Sequence, residues 1–227
     1  MKKIFLFAAA AVAALTINAQ TYDFAEFAFV EPDLTVSNGS KAFNDSKGYW
    51  EIKNTAGETV VMTVAGLPNV EFSYKNSGEK TAYTVKPNGY ICFNGDQRDI
   101  TFKGIAAGKY ITLTVGSKGS TPNSFEDSDS KGAGLTGLSW VSGNKTQPAK
   151  SGEVVYEDIV VRVTSSSAAT LRCTAGGYNL AKIVISDNAP AQGINNVEAA
   201  KVEKFYRDGQ LIIRKNGVEY NALGAKL

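Results

Sequence analysis

The sequence predicts an all-β protein, an antiparallel β-sandwich or jelly roll. Apolar and polar residues alternate with a period of two in many short segments, which is typical of strands that bury one face. Turn pairs such as Asn38-Gly39 and Asn94-Gly95 separate these segments. No helical period of three turns follows residue 19 in the sequence, which argues against a parallel α/β fold.

The alternation is clearest in four segments, whose apolar members share one strand face: Trp50 and Ile52; Val70, Phe72 and Tyr74; Ile111, Leu113 and Val115; and Ile159, Val161 and Val163. Further apolar runs predict strands at 24–30, 58–65, 81–86, 89–94, 99–103, 136–141, 168–175 and 180–186. Residues 116–152 interrupt this pattern with a stretch rich in Gly, Ser, Asn and Lys. A loop of that length is often functional or mobile.

Residues 1–19 have the order of a secretory signal peptide. Lys2 and Lys3 precede an apolar run over 4–17, and the small residue Ala19 marks a cleavage position. The alternative is a membrane anchor, but the run is shorter than the roughly 20 residues that a spanning helix needs. We therefore expect export, cleavage after Ala19, and a secreted or cell-surface protein with no membrane span.

Composition and charge exclude several classes of function. The chain has 227 residues with a net charge of +2, and loss of Lys2 and Lys3 with the signal peptide leaves it neutral. Without a basic block, nucleic acid and anionic membrane partners are not expected. The absence of His rules out Ser–His and Cys–His nucleophile pairs and imidazole zinc sites. The sequence also shows no phosphate loop, nucleophile elbow or paired-acid motif, so it predicts a protein that is not an enzyme.

Two cysteines, Cys92 and Cys173, leave two alternatives open. In an oxidising compartment they could form a disulfide, and closing the long loop between them would stabilise the fold by roughly 4 kcal/mol in the chain-entropy model. The favoured interpretation is two separate buried thiols, because Cys173 shares a strand face with Leu171.

The chain divides into a β-sandwich over 20–187, a polar linker over 188–196 and a C-terminal unit over 197–227. The linker is rich in Ala, Pro, Gly and Asn. The last unit carries hairpin-turn pairs at Asp208-Gly209 and Asn216-Gly217, which predict a short β-meander. A meander of this size buries little apolar surface by itself, so it must dock or stay mobile.

The C-terminal unit resembles the sorting domain of type IX secretion in secreted proteins of the Bacteroidota. The resemblance rests on the two turn pairs, the apolar segment 211–213 between them, and the ending Tyr220-Asn221 with Gly224. It implies that residues 197–227 engage a secretion machinery. The alternative is a β-hairpin that only docks on the sandwich.

The body resembles jelly-roll modules found beside pectate lyases and other polysaccharide-acting proteins of the same bacteria. The resembling segments are Tyr22-Asp23-Phe24, 155–159, 176–180 and 182–185. The resemblance implies a galactose-binding-like sandwich with an accessory, non-catalytic role.

Two aromatic residues are candidates for contact with a sugar, which binds proteins through stacked rings and hydrogen-bonding amides. Trp140 lies in a Gly-flanked stretch, and Tyr178 lies beside the amide of Asn179 in the sequence Gly-Gly-Tyr-Asn. The alternative for Trp140 is a core position that shares a strand face with Leu138. Trp50 is expected in the core.

The acidic segment around Asp127 and Asp129 suggests calcium as a candidate cofactor. These residues match the first two ligand positions of an EF-hand loop and Gly132 matches its glycine, but Lys131 and Leu138 occupy ligand positions. The segment is therefore not an EF-hand. It is either part of an irregular calcium site or, as the favoured alternative, a solvated polar loop. No other cofactor is expected.

Taken together, these features predict an exported, non-catalytic β-sandwich module that binds a polysaccharide or other glycan through loop aromatics. The alternative is a structural or adhesive surface protein that binds a protein partner. A glycan site should show exposed aromatic rings near amides or carboxylates, whereas a protein site should show a flat apolar patch or an open sheet edge.

Overall fold

The computed structural model describes residues 19–117, 122–149, 154–165, 167, 169–190, 202–207, 210–215 and 218–221. The predicted signal peptide and most of the predicted linker lie outside these ranges. Within them, no helix has the length and apolar character that a membrane span would require.

The chain divides into two compact units, residues 1–190 and 191–227. The strands of the first unit are β1 (Gln20–Asp23), β2 (Leu34–Ser37), β3 (Gly39–Asn44), β4 (Tyr49–Asn54), β5 (Thr59–Val64), β6 (Val70–Lys75), β7 (Thr81–Lys86), β8 (Tyr90–Phe93), β9 (Arg98–Phe102), β10 (Tyr110–Ser117), β11 (Asn123–Ser124), β12 (Leu135–Thr136), β13 (Leu138–Ser142), β14 (Thr146–Gln147), β15 (Tyr156–Val163), β16 (Ala169–Cys173) and β17 (Tyr178–Ser186). Two 3₁₀ turns, Phe24–Glu26 and Glu31–Asp33, precede β2.

These strands form two large antiparallel sheets. The nine-stranded sheet has the order β13-β15-β10-β17-β8-β7-β4-β3, with β1 also paired to β17. The six-stranded sheet has the order β12-β16-β9-β6-β5-β2, and β11 and β14 form a separate short ladder. The predicted all-β fold of several antiparallel sheets, consistent with a β-sandwich, is confirmed, whereas the finer jelly-roll connectivity stays a prediction.

The core lies where the inner faces of the two sheets meet. Phe72 of the six-stranded sheet meets Tyr83 and Phe93 of the nine-stranded sheet edge-on, with ring centroids 6.1 and 5.9 Å apart. Phe93 also packs edge-on against Tyr83 at 5.1 Å and stacks on Tyr178 at 4.1 Å. Phe93 is therefore the centre of an aromatic cluster that joins the two layers.

A buried arginine also joins the two sheets. Arg98 begins β9 in the six-stranded sheet and is only 4% exposed. Its Nε donates to Ala82 O at 2.7 Å and its Nη2 donates to Thr81 O at 3.1 Å, both on β7 of the nine-stranded sheet. Its Nη1 donates to Asp96 O at 2.7 Å, and the guanidinium lies 4.0 Å from the ring centroid of Tyr74. Charge-assisted hydrogen bonds of this kind are about twice as strong as neutral ones.

One long hairpin belongs to both sheets. Leu34 of β2 pairs with Val64 of β5 in the six-stranded sheet, and Gly39 of β3 pairs with Asn54 of β4 in the nine-stranded sheet. The hairpin bends between these pairs at Asn38, which has a φ of 55°. Gly39 is required at the bend, since a Cβ there would lie 2.3 Å from the carbonyl oxygen of Lys53.

The structure differs from the local predictions in several places, of which two concern the first strands of the chain. The predicted strand over 24–30 is wrong: β1 ends at Asp23, whose carboxylate accepts a hydrogen bond from Ala25 N at 3.1 Å and caps a 3₁₀ turn. The alternating rings that suggested a strand, Phe27 and Phe29 among them, form a local cluster instead. Strands β2 and β3 were not predicted, because their polar residues mask the period of two.

Both cysteines are buried thiols in the structure. The Sγ of Cys92 donates to Asn94 Oδ1 at 3.7 Å, and the Sγ of Cys173 donates to Ala175 O at 3.0 Å. Burial raises the pKa of the Cys173 thiol to about 12. Cys173 and Leu171 share the core face of β16, as the alternation predicts.

The second unit contains three strands, β18 (Val202–Arg207), β19 (Gln210–Lys215) and β20 (Val218–Asn221). They form an antiparallel sheet in the order β18-β19-β20. The predicted turn pairs at 208–209 and 216–217 lie outside the described residues. The role of this unit in secretion stays a prediction.

Candidate functional site

Trp140 lies on β13 and is half-buried against the core, as the alternative to sugar stacking predicts. Its Nε1 donates to Gly143 O at 3.1 Å, and its ring lies 6.3 Å from that of buried Phe125. The Nζ of Lys145 stands 5.9 Å from the ring centroid. The indole of Trp140 is thus held in place by a backbone hydrogen bond and by the core beside it.

The prediction that Tyr178 contacts a ligand is wrong. Its side chain is fully buried, stacks on Phe93 and packs edge-on against Phe125 at 5.1 Å. The reason is a register shift in β17, where Leu180 and Lys182 pair with consecutive residues of β10 and residue 181 is left over. The extra residue reverses the alternation, so Tyr178 faces the core and Asn179 faces outward.

Burial leaves the Tyr178 hydroxyl without a hydrogen-bond partner among the described residues and raises its pKa well above the ordinary value. Replacing Tyr178 by Phe is therefore expected to raise the free energy of unfolding by about 1 kcal/mol, since an unsatisfied buried polar group is removed. Urea unfolding measures this difference.

Tyr83 provides the matched control for that substitution. It is equally buried, but its hydroxyl donates to Ser73 O at 2.5 Å. Tyr83→Phe should lower the free energy of unfolding by about 1 kcal/mol. Equal effects of the two substitutions would contradict the assignment of an unsatisfied hydroxyl to Tyr178.

The predicted calcium ligands lie in a loop that is held by a hydrogen bond to the carboxylate of one of them. Asp127 Oδ1 accepts a hydrogen bond from Gly134 N at 3.0 Å. In the part of the chain that the structure describes, no three His, Cys, Asp or Glu side chains come together to hold a metal ion. Asp127 and Asp129 therefore have no third carboxylate beside them among the described residues, and the irregular calcium site stays a prediction.

Asn179 belongs to a surface that we call the tyrosine face, formed by Tyr49, Tyr90, Tyr156 and Asn179 on the outer side of the nine-stranded sheet. Tyr156, Gly116 and Asn179 follow one another across adjacent strands β15, β10 and β17. A Cβ on Gly116 would lie 2.4 Å from Val154 Cγ1 and 3.2 Å from Tyr156 Cδ1, so the missing side chain makes room for both neighbours. Burial raises the pKa of Tyr156, and a hydrogen bond with Asn179 offsets this only in part.

Tyr90 and Tyr49 continue the tyrosine face toward the other edge of the sheet. The pKa of Tyr90 is raised first by burial and then by its neighbours Cys92 and Tyr49, and Tyr90 in turn raises the pKa of Tyr156. Strands β8 and β4 flank β7, which places Tyr90 and Tyr49 about 10 Å apart. Tyrosine rings thus lie along the outer face of the sheet, where Tyr156 is 38% exposed while Asn179 and Cys92, which face the same way, are buried.

The outer side of the six-stranded sheet carries a second feature, a groove of about 740 Å³ that we call the polar groove. Its lining includes Ser73, Asn76, Gln97, Asp99, Lys131 and Arg172. Arg172 binds Asp99 through two hydrogen bonds of 2.7 Å, from Nε to Oδ1 and from Nη2 to Oδ2. Loop residues 130–132 form one wall, where Arg172 Nη1 donates to Lys131 O at 3.2 Å.

A third feature, the edge cleft, is an apolar cavity of about 320 Å³ beside edge strand β3, lined chiefly by Phe29, Val30, Phe43, Trp50 and Pro87. Val30 and Phe43 are 52% and 41% exposed. Trp50, expected in the core, lies half-buried at its margin and donates through Nε1 to Phe29 O at 2.7 Å. Phe29 has a φ of 42°, a strained value for a bulky residue.

The sequence contains a signal for Tyr156, a residue that the candidates above do not include. Tyr156 precedes the buried positions Ile159, Val161 and Val163 on β15 and has the opposite parity, so alternation places it on the outer face. An outward-facing aromatic residue at the start of a predicted strand is the pattern that finds it. Phe43 has no such signal, because it lies on β3, which the alternation does not predict, and shares the face of Trp50, its partner in β4.

Comparison with known proteins finds no match to this chain among family models, curated proteins or solved structures.

Proposed function

We propose that this protein is an exported, non-catalytic β-sandwich module that binds carbohydrate through its tyrosine face. The observation that carries the proposal is the row of tyrosine rings beside the amide of Asn179 on the outer face of the nine-stranded sheet. A tyrosine offers an apolar ring for the apolar face of a sugar and a hydroxyl for hydrogen bonding.

The rings rather than the amide form the accessible part of this face. Asn179 is only 5% exposed and is held beside Tyr156 by a hydrogen bond, whereas Tyr156 itself is 38% exposed. Export and the lack of catalysis are proposed from the sequence, that is, from the signal peptide and the absence of His.

The test compares alanine variants of the purified protein on a glycan array and in co-sedimentation with insoluble polysaccharides. Tyr90→Ala and Tyr156→Ala should each weaken binding about tenfold, which corresponds to about 1.4 kcal/mol. Each removes one ring of the tyrosine face and neither is part of the core.

Tyr110→Ala is the matched control. Tyr110 lies on the same outer face at the other end of β10, under Arg162 at 5.8 Å. Its replacement should leave glycan binding unchanged. The proposal fails if the protein binds no glycan, or if Tyr110→Ala weakens binding as much as Tyr90→Ala does.

A protein partner is the second candidate, and the edge cleft favours it. Strand β3 ends the nine-stranded sheet, and an open edge can pair with an extended peptide whose apolar side chain enters a neighbouring cavity. Under this alternative, Phe43→Glu removes binding to immobilised cell-surface proteins and Tyr156→Ala does not.

A further inference from the structure

The polar groove contains a row of polar side chains that crosses three adjacent strands. Arg172 on β16 pairs in register with Asp99 on β9, and Asp99 pairs with Ser73 on β6. All three line the groove. The row is on the six-stranded sheet, whereas the tyrosine face belongs to the nine-stranded sheet, so the two surfaces are separate.

The Asp99–Arg172 pair has unused hydrogen-bonding capacity in a fixed geometry. Arg172 has five N–H donors, of which three are bound to Asp99 and to Lys131 O within the described residues. Each oxygen of Asp99 accepts one of these bonds and has a further lone pair. The Arg172 and Asp99 side chains are 35% and 15% exposed, so a ligand can reach both.

The groove has the dimensions and backbone strain of a binding site. Its volume of about 740 Å³ is within the range of roughly 300–1,000 Å³ found for small-molecule sites. Gln97 on its wall has a φ of 58°, which is strained for a residue with a Cβ, and Gln97 N donates to Cys173 O at 2.7 Å. Strain of this kind is concentrated at functional sites.

The charges at the Asp99–Arg172 pair are balanced, which favours an uncharged ligand there, and Lys75 is a lining cation with no ion pair to a carboxylate among the described residues. Asp99 compensates Arg172, and Lys131 Nζ lies 3.0 Å from Asp96 Oδ2. The pair places a hydrogen-bond acceptor, the carboxylate of Asp99, next to a donor, the guanidinium of Arg172. Two hydroxyls on adjacent carbons match that arrangement, because one can donate to the carboxylate while the other accepts from the guanidinium.

We propose that the polar groove is a second binding site, which holds two adjacent hydroxyls of a sugar between Asp99 and Arg172. This inference goes beyond the proposed function, since it does not require the tyrosine face to bind anything. If both sites bind, one module holds two glycan segments on its two sheets. Two linked sites raise avidity without any new contact when their spacing allows both to engage.

The experiment titrates the purified protein with methyl glycosides of glucose, galactose and mannose, and follows the Arg172 Nε–H signal by NMR. The 3-deoxy analogue of each parent that binds is the key probe, since it has no two adjacent hydroxyls. We expect binding of at least one parent glycoside, and binding about tenfold weaker or absent for the 3-deoxy compound. If none of the three binds at millimolar concentrations, or if the 3-deoxy compound binds equally well, the proposal is overturned.

Variants complete the test. Arg172→Lys keeps the charge but loses the planar fork, so it should weaken binding about tenfold. Ser73→Ala is a smaller change in the same row and should weaken sugar binding less than Arg172→Lys does. It provides the test if Arg172→Lys does not fold. Thr170→Val is the matched control. Thr170 lies on the same face of β16 as Arg172 and forms a hydrogen bond of 3.1 Å with Thr101, but it does not line the groove.

The remaining outcomes separate this site from its alternatives. Tyr90→Ala should leave groove binding unchanged, which keeps the two proposals independent. If sodium acetate or sulfate displaces the sugar, and binding falls steeply with salt, the groove is an anion site and the proposal is wrong.

Discussion

Replacing Arg98 by Met is expected to lower the free energy of unfolding by about 2–4 kcal/mol. The substitution keeps an unbranched side chain beside Tyr74 but removes the donors that hold Thr81 O, Ala82 O and Asp96 O. A buried carbonyl that loses its donor costs about 1–3 kcal/mol. Ala82 O keeps a hydrogen bond from Asn94 N at 3.2 Å, and the guanidinium no longer needs to be desolvated, so both offset part of the loss. Urea unfolding measures the net effect.

Arg162→Met is the control for Arg98→Met. Arg162 is an exposed arginine on the outer face of β15, near the ring of Tyr110. Its replacement should change the free energy of unfolding by less than about 0.5 kcal/mol. If Arg98→Met changes the free energy of unfolding equally little, the cost of burying the guanidinium cancels the gain from its hydrogen bonds. The arginine then does not stabilise the packing of the two sheets.

The second large effect is expected at the centre of the aromatic cluster. Phe93→Ala should lower the free energy of unfolding by about 3–5 kcal/mol, because the removed ring contacts Phe72, Tyr83 and Tyr178 and leaves a cavity between the sheets. Chemical denaturation followed by tryptophan fluorescence gives the value.

Phe43 supplies the comparison for Phe93. It is 41% exposed at the edge cleft, so Phe43→Ala should lower the free energy of unfolding by no more than about 1 kcal/mol. A Phe93→Ala variant as stable as Phe43→Ala would mean that the cluster does not join the layers.

The all-β fold follows from the sequence because alternation is a local property. In β6 the apolar positions Val70, Phe72 and Tyr74 are buried and the positions between them face outward, as their order along the chain requires. The apolar positions of the alternation in β10 and β15 are buried as well, although the outward-facing Thr112 and Val160 between them are also buried. A burial pattern of this kind needs no information from distant residues.

The candidate site does not follow from the sequence in the same way, because it depends on register between strands. Ile183 and Ile185 of β17 are buried, and extending their parity backward places Asn179 inside and Tyr178 outside. The residue left over at position 181 reverses this, and only pairing with β10 reveals it. The meeting of Asp99 and Arg172 likewise requires the pairing of β9 with β16, which are far apart in the chain.

The hairpin bent at Asn38 has a consequence for the order in which the layers assemble. It is continuous in sequence from residue 34 to residue 64, so its two arms meet after a short chain closure. The pairing of Phe102 with Ala169, by contrast, joins residues that are far apart in the chain and therefore forms more slowly. A segment that already spans both layers can therefore act as a nucleus onto which the remote strands condense.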